Sequence, residues 1–374
     1  MAHADMAFYT EPEYTHGTPS RTTVLLVNLG TPEAPTAAAV RPFLREFLSD
    51  PRVVEIPRLL WWPILHGLVL TLRPARSAAK YASVWTDAGS PLMVHSRVQA
   101  QLLQGYLGER GLDVDVRLAM RYGEPSVARV LAQARAAGTG RLLVLPMYPQ
   151  YSGTTTASVF DAVTAQLARM RNVPELRWVR NFHDWPGYVE ALKSAVLAHW
   201  RKVGDLRSRG AKLVLSFHGV PRRALDLGDA YHCECHKTAR LLREALQLEP
   251  DQVVVCFQSR FGRAEWLRPY TADTLQKLAR SGATDVDVMC PGFVADCLET
   301  VEEIAIECRA EFIHAGGREY RYIACLNGAP PFIHALADLV QTHLAGWPVE
   351  RTDADERARI GQASLARARA LGAT

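Results

Sequence analysis

The chain has 374 residues, enough for about two domains, and its apolar fraction of 48% suits ordinary hydrophobic cores. Net charge is only +4 and the Lys and Arg residues are scattered, which excludes a dedicated nucleic-acid binder. Seven cysteines, an odd number in so long a chain, fit a reducing compartment better than a disulfide framework.

Residues 1–21 are polar and contain Pro and Gly, without the apolar core of a signal peptide. They read as a flexible leader on a cytoplasmic protein. The first strand is TVLLVNL (23–29). LLWWPILHGLVLTL (59–72) follows, nearly uncharged but shorter than the roughly 20 apolar residues that span a bilayer. A core helix is one reading of it. The paired Trp61 and Trp62, with Arg58, Arg73 and Arg76 nearby, also suit a helix lying on a membrane surface. An apolar mouth around a greasy ligand would look the same.

Further strands are VDVRLAM (114–120), RLLVLPM (141–147) and LRWVRNF (176–182), then AKLVLSF (211–217), QVVVCFQ (252–258), DVDVMCP (285–291) and YRYIACL (320–326). Helix-length segments separate most of them. Val/Leu-rich strands alternating with helices predict an α/β fold whose parallel sheets are covered on both faces. The spacing predicts two Rossmann-like domains, 22–185 and 186–328, each with a four-stranded parallel sheet flanked by helices. The apolar helix within 329–346 is expected to return to the first domain, and the charged, Ala-rich stretch 347–374 to be loose or weakly helical.

In an open parallel sheet, ligands bind beyond the carboxyl ends of the strands. Polar residues gather at several such ends: Arg121 and Tyr122 after 114–120, YPQYSGTTT (148–156) after 141–147, and His218 after 211–217. Ser259 and Arg260 follow 252–258, with Trp266 beyond, and GFVADC follows 285–291. Together they describe one lined cleft. The usual cofactor fingerprints are missing. VNLGTPEAP stands where G-x-G-x-x-G would follow the first strand, and no Walker lysine loop or H-E-x-x-H occurs. A nicotinamide or nucleotide enzyme is disfavoured, whatever the fold.

Three stretches bear on chemistry. LVLSFHGVP (213–221) runs apolar and stops on His218, so an imidazole ends a buried-looking strand. Alone, that reads as a strand leaving the core through a turn. MCPGFVADCLETVEEIAIE (289–307) spaces Asp296, Glu299, Glu303 and Glu307 by 3, 4 and 4 residues, which stacks carboxylates on one helix face. A solvated acidic face has the same pattern. Asp296 and Glu299 lie in the first turn at a strand's carboxyl end, however, and are expected to point into the cleft with His218. Carboxylates facing an imidazole can bind a hard or borderline divalent cation, or relay protons. YHCECHKT (231–238) gathers His232, Cys233, Cys235 and His236. Its C-x-C spacing is poor for zinc and the thiols diverge on a helix, so a partly exposed helix start is expected there.

VNLGTPEAPT, YPQYSGTTT, LSFHGVP, CFQSRFGRAEWLRPYT, MCPGFVADCLETVEE and LNGAPPFIHALADLV together resemble the ferrochelatase family, in its order and spacing from residue 24 to about 340. The resemblance implies insertion of ferrous iron into protoporphyrin IX to give protohaem, the last step of haem synthesis. It implies a porphyrin cleft between two Rossmann-like domains, and an enzyme peripheral to a membrane. Residue by residue, it implies that His218 and Glu299 face the metal and that Glu303 and Glu307 continue an acidic path. Arg121, Tyr122, Tyr151, Trp266 and Phe293 would line the porphyrin. The segment 57–72 falls at the family's membrane-facing lip. Cys297 departs from members that carry a second histidine there.

Iron is then a substrate and no cofactor is expected. Some members hold a [2Fe–2S] cluster on four cysteines. Here no cysteine follows Cys325 and Gly153 occupies one ligand position, so a cluster is not expected. Metallation removes two pyrrole N–H protons while Fe²⁺ arrives. An imidazole titrates near neutrality and suits a proton acceptor, and Gly219 is expected to admit a flat ligand. Alternatives are a related chelatase acting on coproporphyrin or another metal, a non-catalytic haem-binding protein, and a metal-dependent hydrolase. The acidic ladder argues against a haem carrier, and one histidine with one glutamate hardly supplies a hydrolase's three ligands. The oligomeric state is left between monomer and homodimer.

Overall fold

Val24–Val27 and Leu213–Leu215 are wholly excluded from solvent, and each run lies in a strand covered on both faces. The computed structural model describes residues 8, 9, 15, 16, 18–260, 262, 264–350 and 353–373. The expected leader falls largely outside them. Of its described residues, Tyr9 donates its N–H to the Arg169 carbonyl at 2.9 Å and packs on the first domain's outer core.

β1 (Arg21–Gly30) leads to α1 (Ala37–Ser49), α2 (Arg58–Ile64), a π-helical segment (Leu65–Val69), α3 (Leu70–Val84) and α4 (Pro91–Glu109). Next come β2 (Val114–Tyr122), α5 (Val127–Ala136), β3 (Thr139–Pro146), α6 (Thr156–Leu167) and β4 (Glu175–Trp178). The second half begins with α7 (Pro186–Val203), α8 (Leu206–Arg209), β5 (Lys212–His218), α9 (Arg222–Asp226), α10 (Tyr231–Ala245) and β6 (Val253–Gln258). It continues through α11 (Thr271–Arg280), β7 (Asp285–Met289), a π-helix (Glu299–Glu307), α12 (Cys308–His314), β8 (Glu319–Ile323), α13 (Pro330–His343) and α14 (Ala354–Ala370).

The strands form two parallel four-stranded sheets, ordered β2-β1-β3-β4 and β6-β5-β7-β8. This is the predicted architecture. Val24 stands opposite Val116 and Leu143, and His218 opposite Gln258, so the register brings His218 and the end of β6 to one place.

One apolar core serves both halves. Leu26, Leu143 and Leu145 of the first sheet and Leu213, Leu215 and Phe217 of the second join it through α4, α7, α10 and α13. Full burial of each such side chain contributes about 1.5–3 kcal/mol. In α13, Phe332, Ile333, Leu336, Leu339 and Val340 fall on one helical stripe and are all buried. Arg110 reaches Asp338 at 2.8 Å, and Asp113 donates its N–H to the Val349 carbonyl at 2.7 Å, so this late segment is fastened beside α4 and β2. The charged stretch after it is helical as α14, with Arg357 at 2.5 Å from Asp113.

Candidate active site

β5 is buried as far as Phe217, and His218 is the residue at which it reaches the cleft. The ring's Nδ1 lies 2.6 Å from the Gly219 carbonyl, which can only accept, so Nδ1 is the donor there, and in a neutral ring Nε2 is the nitrogen left to accept. Trp266 and Phe293 flank this imidazole, with ring centroids 6.5 and 6.3 Å away. Gly219 is required by the protein's own packing. A Cβ there would stand 2.7 Å from the Gln258 carbonyl and 3.1 Å from Trp266, so the glycine makes room for the neighbouring strand and the indole.

The acidic stretch is a π-helix over Glu299–Glu307, and Asp296 lies outside it. Asp296 is buried and accepts from Tyr322 (2.6 Å), Asn327 (2.7 Å) and Thr300 (3.1 Å). It anchors the turn after β7 rather than facing the cleft, which corrects the four-carboxylate ladder to three. Gln258 ties the helix start to β6 by donating to the Glu299 carbonyl at 2.9 Å.

Glu303 receives hydrogen bonds from the backbone and hydroxyl of Ser259. Burial raises its pKa above the ordinary value and the Glu299 charge adds to the rise, while the Ser259 hydrogen bonds and the positive charge His218 can carry oppose it only in part. The three groups thus share one electrostatic neighbourhood. Farther along, Lys80 of α3 bridges Glu302 (2.8 Å) and Glu307 (3.1 Å) at the helix's wetter side.

Glu299 lines a cavity of about 90 Å³ with Leu29, Arg73, Tyr81, Ser90 and Leu92. Burial lowers the Arg73 pKa, and burial with the Glu299 charge raises that of Tyr81. Sequence reasoning missed this set. Arg73 and Tyr81 sit eight residues apart on α3, and Ser90 caps α4, so only the fold brings them to Glu299. The cavity is below the roughly 300–1,000 Å³ of ligand pockets.

The other expected site residues divide. Trp266 and Phe293 stand at the imidazole, as described. Tyr151 is half-buried, with Arg180 4.0 Å over its ring and its N–H on Glu234 at 2.6 Å. Tyr122 is fully buried and donates to Asp50 at 2.8 Å, so its ring lies inside the wall rather than on its surface. Arg121 reaches the same carboxylate at 2.5 Å and Ser158 Oγ at 2.7 Å. For Asp50, burial pushes the pKa up, but hydrogen bonds from Ser158, the Arg52 N–H and Tyr122, with the Arg121 charge, bring it below its ordinary value. Arg121 and Tyr122 thus belong to a closed polar node.

On α10, His232 and His236 lie 4.4 Å apart between ring centroids, and His232 stacks on Phe257. Cys235 is buried and Cys233 exposed, as the helical divergence predicted. Among the described residues, no group of three or more His, Cys, Asp or Glu is arranged to hold a metal ion.

The apolar segment is α2, the π-helical segment and the start of α3, laid over Val40, Phe43, Leu44 and Tyr122. Trp61 is 9% exposed and donates to the Leu48 carbonyl at 2.7 Å, whereas Trp62 is 45% exposed. Leu59, Leu60, Leu68 and Leu72 are also exposed. Among the described residues no helix is long and apolar enough to cross a membrane.

The ferrochelatase family model matches residues 21–344. The chain is 60% identical over 370 residues to a ferrochelatase of Herminiimonas arsenicoxydans, covering 98% of this chain and all of that one. It is 60% identical over 363 residues to a ferrochelatase of Methylibium petroleiphilum, covering 97% and 98%. This chain belongs to the ferrochelatase family. As a ferrochelatase it is a metal-chelatase lyase that inserts iron into protoporphyrin in haem synthesis. Among solved structures it is similar to SirB from Bacillus subtilis with Fe³⁺, with a TM-score of 0.52 and 12% identity over 87% of this chain and 96% of that one. At that identity the likeness concerns the fold alone.

Proposed function

We propose that metallation runs at the carboxyl ends of the second sheet, with His218 as proton acceptor and Glu299 as the carboxylate that meets ferrous iron. The observation that carries this reading is the 2.6 Å contact of His218 Nδ1 with the Gly219 carbonyl, which in a neutral ring leaves Nε2 to accept a proton. Two pyrrole N–H protons leave as Fe²⁺ takes the four nitrogens. The imidazole receives them in turn, Glu303 takes them on, and Glu307 beside Lys80 is the outlet. Glu299 lies against the cavity, with Arg73 placed to meet a negatively charged substituent. Trp266 and Phe293 contact the macrocycle and Tyr151 borders its approach, while Arg121 and Tyr122 act from within the wall by holding Asp50. Interactions that form only with a bent macrocycle lower the barrier.

We also assign the exposed face of α2 and α3 to a membrane surface on the cytoplasmic side, where a sparingly soluble porphyrin partitions. Leu59 (90% exposed) and Leu60 (64% exposed), with Arg58 at the helix start, suit an interfacial helix. That apolar lip supports protoporphyrin IX over the more polar coproporphyrin. The test is incubation with Fe²⁺ and each porphyrin in turn, followed by the loss of the free-base spectrum. Faster consumption of protoporphyrin is expected; equal or faster consumption of coproporphyrin would overturn the part given to the lip in that preference.

A further inference from the structure

Ser259 follows β6 and stands at φ +65°, in the left-handed region that a residue with a Cβ enters at a cost. The conformation turns two donors the same way. Its N–H meets Glu303 Oε1 at 2.7 Å and its hydroxyl meets Oε2, so one residue engages both carboxylate oxygens. Such charge-assisted pairs are the stronger class of hydrogen bond and fix a carboxylate's orientation. Glu303 lies four residues beyond Glu299 on the π-helix.

We propose that Ser259 is a positioning residue for metallation: it aims the Glu303 carboxylate to take the proton that His218 has drawn from a pyrrole nitrogen. In that step a pyrrole N–H bond breaks and the proton moves to His218 Nε2. It then passes to a Glu303 oxygen, restoring the neutral imidazole for the second pyrrole. The proposal rests on the assignment of Glu303 made above.

The groups that bear on Glu303 come from every side of it. His218 faces it from β5 and Glu299 from its own helix, while the thiols of Cys290 and Cys308 stand within its electrostatic reach. Burial and Glu299 favour the protonated carboxyl, and Ser259 is the neighbour that opposes them by direct hydrogen bonds. Donors to a carboxylate stabilise its charged form. Their loss raises the pKa, and the carboxyl stays protonated, unable to accept, up to a higher pH.

The experiment compares Ser259→Ala, Ser259→Gly and Glu303→Gln with the parent enzyme, by steady-state metallation across the neutral range. Glycine loses the hydroxyl yet adopts positive φ freely, so it reports on the hydrogen bond even where alanine folds poorly. The expected result is a kcat at neutral pH about tenfold lower, an unchanged KM for porphyrin, and an acid limb moved up by roughly one pH unit. A merely structural residue would lower the melting temperature and leave the limb in place. An unmoved limb in Ser259→Gly, beside a slow Glu303→Gln, overturns the role of Ser259 and leaves that of Glu303 standing. A Glu303→Gln enzyme as fast as the parent overturns both.

Discussion

His218, Glu299, Glu303 and Glu307 are assigned successive places from the ring outward, and their variants should differ accordingly. His218→Ala leaves the fold intact, because the side chain sits at a strand end. It should bind porphyrin yet metallate it about 10²–10⁴-fold more slowly, as loss of a general base does. Glu299→Gln should abolish turnover, since an amide is a weak ligand for Fe²⁺ and takes no proton. Glu303→Gln should lower kcat with little change in porphyrin affinity. Glu307, half-exposed and paired with Lys80, should matter least. Porphyrin binding and metallation rates measured side by side check the order, and near-normal turnover in His218→Ala would sink the assignment. The placement of His218 at a strand end and of Glu299 and Glu303 on one helix was legible in the sequence because strand ends and helical spacing are local properties. Arg73, Tyr81 and Ser90 were not, since three separate elements must meet before they share a cavity. Asp296 misled because its spacing matched the ladder while its partners, Tyr322 and Asn327, lie some thirty residues away.

At the scale of elements, α2 turns two adjacent tryptophans to opposite tasks. Trp61 fills the core under the lip and its indole N–H is satisfied by Leu48; Trp62 looks outward beside Arg58 and His66. Trp61→Ser should therefore cost roughly 3 kcal/mol of stability by opening a cavity. Trp62→Ser should leave stability nearly unchanged while weakening co-sedimentation with lipid vesicles and raising the KM for protoporphyrin. Thermal melts and vesicle pelleting on both variants separate the effects, and equal behaviour of the pair would refute the split. An unbroken apolar run has no period that assigns faces, so the sequence could not divide these neighbours. The strands were easier to read, because Val/Leu runs bounded by turns occur at nearly every observed strand. Nor could the sequence announce a π-helix over Glu299–Glu307, since carboxylates four apart fit an α-helix equally well.

Across the whole molecule, the opposite ends of the strands carry a second charge system. Asp287 of β7 is wholly buried and accepts from Trp200 at 2.8 Å, His199 at 3.3 Å and Arg209. Burial pushes its pKa up, but these hydrogen bonds and the Arg209 charge outweigh burial and hold it below the ordinary value. A depressed folded-state pKa contributes stability above the unfolded value near 3.9, lost as pH falls toward the folded one. Denaturant unfolding across pH should thus show a loss beginning near pH 4 that Asp287→Asn flattens, at a neutral-pH cost of roughly 3 kcal/mol. A variant with unchanged acid sensitivity would rule this out. The shared core has a consequence for how the chain is made. α13 covers α4 and α7, yet at about 5–20 residues per second the ribosome delivers it on the order of 10–50 s after α4. Through that interval the apolar face of α4 that α13 covers is without its partner, until Phe332 and its neighbours arrive to seal it.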